Sequence, residues 1–224
     1  MLTERIDLIR KKLIDFGVLV EQMIDKSLKG LTEREVSILV EVIEKDEPKA
    51  NRFELELDEL CTTSIAQFQP KAKDLRVILM VMKINNDLER LGDHAVNIAE
   101  SSLFLVERPP VKPLLDIPRM AQIAVNMLKN SISAFINEDT ESAYNVLVKD
   151  NEVDGLKDQV MRELIVLMSS SPPTIERAFQ LIRISSNLER IADLSTNICE
   201  DIIFMVQGKV VKHRAGETPI NEKG

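Results

Sequence analysis

Between residues 31 and 207 the chain has two glycines, Gly92 and Gly155. Sheets and nucleotide-binding α/β folds depend on glycine for tight turns and close backbone approach. A stretch this long with so little glycine is constrained to helix. Other residues agree. Trp is absent, Tyr occurs once and aromatic residues make up 4% of the 224, whereas strands draw on aromatic and β-branched side chains. The expected fold is all-α, and a hydrophobic content of 44% is enough for sizeable cores.

Prolines and caps divide the helices. Prolines at 48, 70, 172 and 173 flank or interrupt apolar-periodic runs, and those at 109, 110, 113 and 118 cluster at mid-chain. Helices are predicted at 3–29, 32–68, 71–106, 117–137, 140–169 and 172–207. Thr32 with Glu35 reads as a capping box, and Ser171 before Pro172 as an N-cap. Pro48 falls inside the second helix and is expected to kink it. Rods this long with short connections pack as antiparallel bundles.

The chain repeats itself. Residues 85–100 read NNDLERLGDHAVNIAE and residues 185–200 read SSNLERIADLSTNICE, with seven of sixteen positions identical. The preceding helices match more loosely: Ala50, Phe53 and Leu57 correspond to Val153, Leu156 and Val160, and Met23 and Ser27 to Met127 and Ser131. Two tandem, pseudo-symmetric three-helix bundles follow. The first repeat is residues 1–106, a proline-rich linker 107–116, the second repeat 117–207 and a polar tail 208–224.

Several function classes are disfavoured. A net charge of −8 is wrong for a phosphate-backbone binder, so nucleic acid is not an expected partner. No apolar run approaches the roughly 18 residues of a membrane span, and residues 1–16 do not read as a secretory signal. A cytoplasmic location is expected. Cys61 and Cys199 read as buried small hydrophobes. There is no P-loop, GxGxxG, GxSxG, HExxH or Glu-x-x-His pair, and the two histidines are His94 and His213. Enzymatic turnover is not expected.

One feature exceeds what solvation requires. On a helical wheel Met80, Val81, Ile84, Leu88, Leu91, Ala95 and Ile98 form a core face. Glu89, Asp93, Asn97 and Glu100 fall together on the opposite side, and Glu189, Asp193, Asn197 and Glu200 do the same in the second repeat. Carboxylates four residues apart repel, and no lysine is interleaved to relieve them. Several carboxylates with an amide oxygen suit hard cations such as Mg²⁺, Mn²⁺ or iron. A second pair, Asp150 and Asp154, flanks the middle helix of the second repeat, with Glu47 and Asn51 at the matching places in the first. One site per repeat would use Glu47, Asn51, Glu89 and Asp93, and the other Asp150, Asp154, Glu189 and Asp193. Arg90 and Arg190 read as surface ion pairs, His94 as a surface histidine, and Met80, Met82 and Met161 as core filler.

LERLGD at 88–93 and LERIAD at 188–193 stand on the third helix of a doubled three-helix unit. Together with QPKAKDLRVIL, KDNEVDGL and NICEDIIFMVQG, they resemble the PhoU family over residues 1–208. The resemblance implies paired three-helix bundles that regulate phosphate uptake. It implies restraint of the Pst phosphate transporter through its ATPase subunit, and contact with a sensor histidine kinase that silences the starvation response. It also implies iron or zinc clusters on E(D)xxxD motifs, here Glu89/Asp93, Glu189/Asp193 and Asp150/Asp154. Asn51 departs from that pattern, as does Gly92, which is Ala192 in the second repeat. A homodimer that meets the membrane only through partners is expected. A purely structural or chaperone-like helical bundle without metal, and a carboxylate-bridged metalloenzyme, remain as other readings.

Overall fold

The computed structural model describes residues 1–208 and Val210. The tail expected from Gly208 onward, with His213, otherwise lies outside the described residues. Helix α1 spans Leu2–Glu33, α2 Val36–Glu41, α3 Glu47–Phe68, α4 Ala72–Val106, α5 Asp116–Asn137, α6 Thr140–Ser170 and α7 Ile175–Gln207. No strand is present among the described residues. The 35 residues of α4 make a rod of roughly 50 Å.

The second predicted helix is not one rod, and its break is not where the cap was placed. Helix α1 runs through Thr32, whose hydroxyl donates to the Leu28 carbonyl at 3.0 Å rather than capping a new start. The chain turns at Arg34, in the left-handed region at φ 58°. Glu35 then precedes α2 without a side-chain cap. Pro48 does not kink a regular helix; a π-helical turn over Val42–Asp46 comes before it. The Glu47 amide reaches back five residues to the Val42 carbonyl, so Pro48 enters at the first turn of α3, where its missing N–H costs nothing.

Ser171 also departs from expectation. It closes α6, makes no side-chain cap, and its carbonyl accepts from the Thr174 amide at 2.9 Å across a short 3₁₀ turn, Pro172–Thr174. The working N-cap nearby is Asp139, whose carboxylate accepts from the Glu141 and Ser142 amides at the start of α6.

Helices α1, α3 and α4 form the first bundle, and α5, α6 and α7 the second. The predicted wheel face of α4 is the core: Ile84, Leu88, Leu91, Ala95 and Ile98 are all fully buried. The bundles join along α4 and α7, while α1 also packs on α5. Arg76 Nε donates to the Met205 carbonyl at 3.0 Å, Lys83 pairs with the buried Asp201, and His94 Nδ1 lies 2.8 Å from Asn187 Oδ1. His94 is therefore not a plain surface histidine; it bridges the bundles. Rising numbers on α4 meet falling numbers on α7, so the two are antiparallel. Because α7 repeats α4 at an offset of 100 residues, a local two-fold axis passes between them near Leu91 and Ile191.

The break after α1 is held by close packing. A methyl group on Gly30 would stand 2.5 Å from Leu39 Cδ2, and Leu39 is fully buried. Gly92 is different, since a methyl group there would meet Met23 and Ala50 at ordinary contact distances of 3.7 and 3.8 Å. Behind the π turn, Asp46 is buried and accepts from Lys26 Nζ at 2.7 Å and Lys49 Nζ at 2.9 Å. Burial pushes its carboxyl pKa up, but the two ammonium groups outweigh that and hold it below the usual value.

Gly30→Ala should destabilise by about 1–3 kcal/mol, because Leu39 has no room to yield. Gly92→Ala should be neutral or stabilise by about 0.5–1 kcal/mol by removing helix-interior glycine. Urea unfolding of both variants beside wild type measures the difference.

Candidate functional site

The second repeat gathers the carboxylates expected of it. Asp150 and Asp154 stand one turn apart on α6, Glu189 and Asp193 one turn apart on α7, and α6 packs along α7. Asp150, Glu189 and Asp193 are half-buried and Asp154 is exposed. Burial, then the charges of Asp193, Asp154 and Glu189, push the Asp150 carboxyl up to about 6. Asp193 is raised by burial and by Glu189 and Asp154, with Arg190 and Lys157 opposing. Asp150 Oδ1 is buried and has no hydrogen-bond partner. Such an orphaned acceptor is costly unless something electropositive reaches it.

Lys157 also belongs to this patch and was not anticipated. Its Nζ donates to Glu189 Oε1 at 2.7 Å, and Arg190 Nε lies 3.8 Å from Glu189 Oε2. A signal existed in the spacing: Asp150, Asp154 and Lys157 fall at i, i+4 and i+7 on one helix face.

The first repeat is assembled differently from the expected set. Glu89 on α4 is raised by burial, then by the charges of Asp93 and of Glu54 on α3, with Arg90 opposing. Glu54 follows Glu47 and Asn51 at i+7 and i+3. It is half-buried, as is Glu47 at the start of α3, while Asn51 is exposed. Neither the Glu47 nor the Asn51 side chain makes an ion pair or hydrogen bond with a described residue, and Glu54 is the α3 carboxylate whose charge acts on Glu89.

The outer members of the α7 row border a cleft. Asn197 and Glu200 line a cleft of about 380 Å³ between α4 and α7, with Lys83, Asn86, Asp87 and Asp201. Asn97 is half-buried and Glu100 exposed on α4. Arg90 pairs with Asp87 at 3.5 Å, as a surface ion pair. Cys61 and Cys199 are buried, which pushes both thiols up to about 12 and leaves them unreactive.

Among the described residues, no three of His, Cys, Asp or Glu are arranged about one point as ready-made ligands. The donor chemistry still fits a hard cation. The set is carboxylate with one amide, without imidazole or thiolate, and the orphaned Asp150 oxygen is a free acceptor within it.

The charge crowding predicts a pH effect in chelator-treated protein. Asp150 has a folded pKa above its unfolded one, so the folded state binds the extra proton between about pH 4 and 6. Stability contributed by this group therefore falls as pH rises through that window. Asp150→Asn should raise Tm at pH 7–8 and lose its advantage below about pH 4; thermal melts at several pH values read this out.

The "PhoU domain" family model matches residues 13–102 and 117–202. A phosphate-specific transport system accessory protein PhoU homolog of Aquifex aeolicus is 38% identical over 215 residues, covering 96% of this chain and 95% of that protein. A second homolog, from Thermotoga maritima, is 35% identical and covers 95% of this chain and 90% of that protein. The crystal structure of PhoU from Pseudomonas aeruginosa superposes with a TM-score of 0.90 at 29% identity, covering 93% of this chain and all of that one. That of the phosphate transport system regulatory protein PhoU from Streptococcus pneumoniae gives 0.86 at 25% identity, with 95% of this chain and all of that one covered. The fold, its doubling and these likenesses agree over nearly the whole length, and the chain belongs to the PhoU family.

Proposed function

We propose that the chain is a non-enzymatic regulator of phosphate uptake and phosphate-starvation signalling. It restrains the Pst phosphate transporter through contact with the ATPase subunit, and holds the sensor histidine kinase of the phosphate regulon in its silent state. The observation that carries this reading is near full-length likeness to proteins named as phosphate transport accessory proteins. An adaptor needs a rigid scaffold with distinct surfaces, and two bundles locked along α4 and α7 supply one. No described helix is long and apolar enough to cross a membrane. In this reading the chain works in the cytoplasm as a homodimer and meets the membrane only through its partners.

The acidic patches are read as surface metal sites. Glu54, Glu89 and Asp93, with Glu47 and Asn51 beside them, would hold a cation in the first repeat. Asp150, Asp154, Glu189 and Asp193 would do so in the second. Magnesium, iron and zinc are the candidates, and oxygen donors favour the harder ions. When bound, such an ion supplies positive charge where the bare surface is acidic. The chain's own part is to hold mutually repelling carboxylates on rigid helices. The second reading, a bundle that acts by contact without metal, is favoured by the lack of a preformed three-ligand group among the described residues.

Deletion should leave alkaline phosphatase expressed in phosphate-rich medium, and normal repression in the deleted strain would count against the regulatory role. Protein purified without chelator should hold metal. A Glu89→Ala/Asp93→Ala/Glu189→Ala/Asp193→Ala variant should lose it by elemental analysis, and equal metal in both would leave the metal-free reading.

A further inference from the structure

The outward stripe of each third helix changes character along its length, and it does so twice over. On α4 the stripe that carries Glu89 and Asp93 begins with Leu75, Leu79 and Met82. On α7 the stripe of Glu189 and Asp193 begins with Ile175, Phe179 and Ile182 at the matching places. Leu79 is 42% exposed and Phe179 54%. The preceding helix extends each patch: Phe68 at the end of α3 is 40% exposed and Ile165 on α6 is 49% exposed. Met82 and Met161, which the sequence assigns to the core, are half-buried on the same strips. Lys157 bonded to Glu189 sets the register of the antiparallel α6–α7 pair. Counting from it brings Ile165 within a turn of Phe179 and Met161 within a turn of Ile182. A single exposed apolar side chain needs no explanation, but a patch that recurs at matching places in both repeats does. Each repeat thus has an open strip along its last two helices, apolar at the start of the third helix and acidic about two to four turns further along.

We propose that each strip is a docking groove for an amphipathic helix of a partner protein. The apolar side chains of that helix seat at the start of α4 or α7, and its Lys or Arg side chains lie over the carboxylates beyond. Charge selects this occupant. Lys157 and Arg190 both turn to Glu189, and Arg90 turns to Asp87. Asp150, Asp154 and Asp193 in the second repeat, and Glu54, Glu89 and Asp93 in the first, make no ion pair with a described residue. Asp150 Oδ1 is also a buried acceptor with no donor. A second copy of this chain would set carboxylates against carboxylates, and an anionic bilayer would be repelled by the same groups. Shape selects a helix. No strand is present among the described residues to accept an added one, whereas Ile175, Phe179 and Ile182 at i, i+4 and i+7 form a ridge beside a neighbouring rod, the footing for helix-in-groove recognition. The inference goes beyond the adaptor reading by assigning the chemistry of the docked segment, and it needs no bound ion.

The probe is a fluorescent synthetic peptide of about 18 residues, about 27 Å long as a helix, with leucines on one face of its first half and lysines on the same face of its second half. A companion peptide carries the halves in reverse order, since either direction matches the groove. Fluorescence anisotropy follows each peptide as full-length, chelator-treated protein is added. One of the two should bind, and binding should weaken as salt is raised. Replacing its lysines with glutamates should weaken it about tenfold or more. Leu79→Ser/Phe179→Ser, which removes an apolar anchor from each groove, should cost about tenfold or more, and so should Asp93→Lys/Asp154→Lys, both exposed positions. Val148→Ser, on a face of α6 turned away from the groove, should change nothing, and thermal melts of all three variants should match wild type. Failure of wild type to bind either lysine peptide, equal binding of the glutamate form, or binding that survives both double variants would overturn the inference. So would a wild-type dimer that Leu79→Ser/Phe179→Ser converts to monomer in sedimentation, since a second copy would then cover the face. Anionic vesicles retained by wild type and lost by that variant would also overturn it, in favour of a lipid surface. Each of these outcomes would leave the regulatory reading in place, because the deletion strain tests that separately.

Discussion

The α4–α7 seam carries the molecule. Each helix is the third of its bundle, so each packs its core face inward and still offers another face to the other repeat. Leu88, Leu91, Leu188 and Ile191 are all fully buried where the two helices meet their bundles. Burying aliphatic side chains of this size contributes roughly 1.5–3 kcal/mol apiece, far more than the polar contacts along the seam. Those contacts do something else. The Lys83–Asp201 pair, the His94–Asn187 contact and the Arg76–Met205 bond fix how far one helix slides along the other. The apolar surface supplies stability, and the polar pairs set the register in which the acidic patches come to rest.

Most of the architecture was legible in the residues. Scarce glycine and a 3.6-residue apolar period specify helices, and LERLGD with LERIAD exposes the doubling. The limits of those signals are equally physical. A capping box is a local pattern, and at Thr32 it lost to a helix whose continued packing onto α4 outweighed an early stop. The π turn before Pro48 leaves no compositional trace, because it answers a missing N–H by shifting bonds rather than residues. Wheel geometry separated the core face from the acidic face correctly. It could not tell which neighbour the acidic face meets, and so it grouped Asn197 and Glu200 with Glu189 although they border a different cleft.

Glu54 and Lys157 mark the same limit. Both lie one turn beyond residues singled out by spacing, on helices whose partners were known. They escaped because a search for matched residues in a repeat passes over positions where the copies disagree. The second repeat also shows how a helix surface tolerates crowded carboxylates. It engages one of them with a lysine, leaves Asp154 at the solvent edge, and pushes the Asp150 carboxyl up to about 6 through burial and repulsion.

The local two-fold axis has a directional consequence. To exchange two antiparallel helices that lie side by side, the axis must stand normal to the plane containing them. Rotation about such an axis never carries a feature from one side of that plane to the other. The Glu89/Asp93 patch and the Glu189/Asp193 patch therefore open toward the same side of the molecule, flanking its midpoint. A surface laid over one is already above the other. A partner that is itself two-fold symmetric would meet both patches at once, and engagement of one would raise the effective concentration of the other.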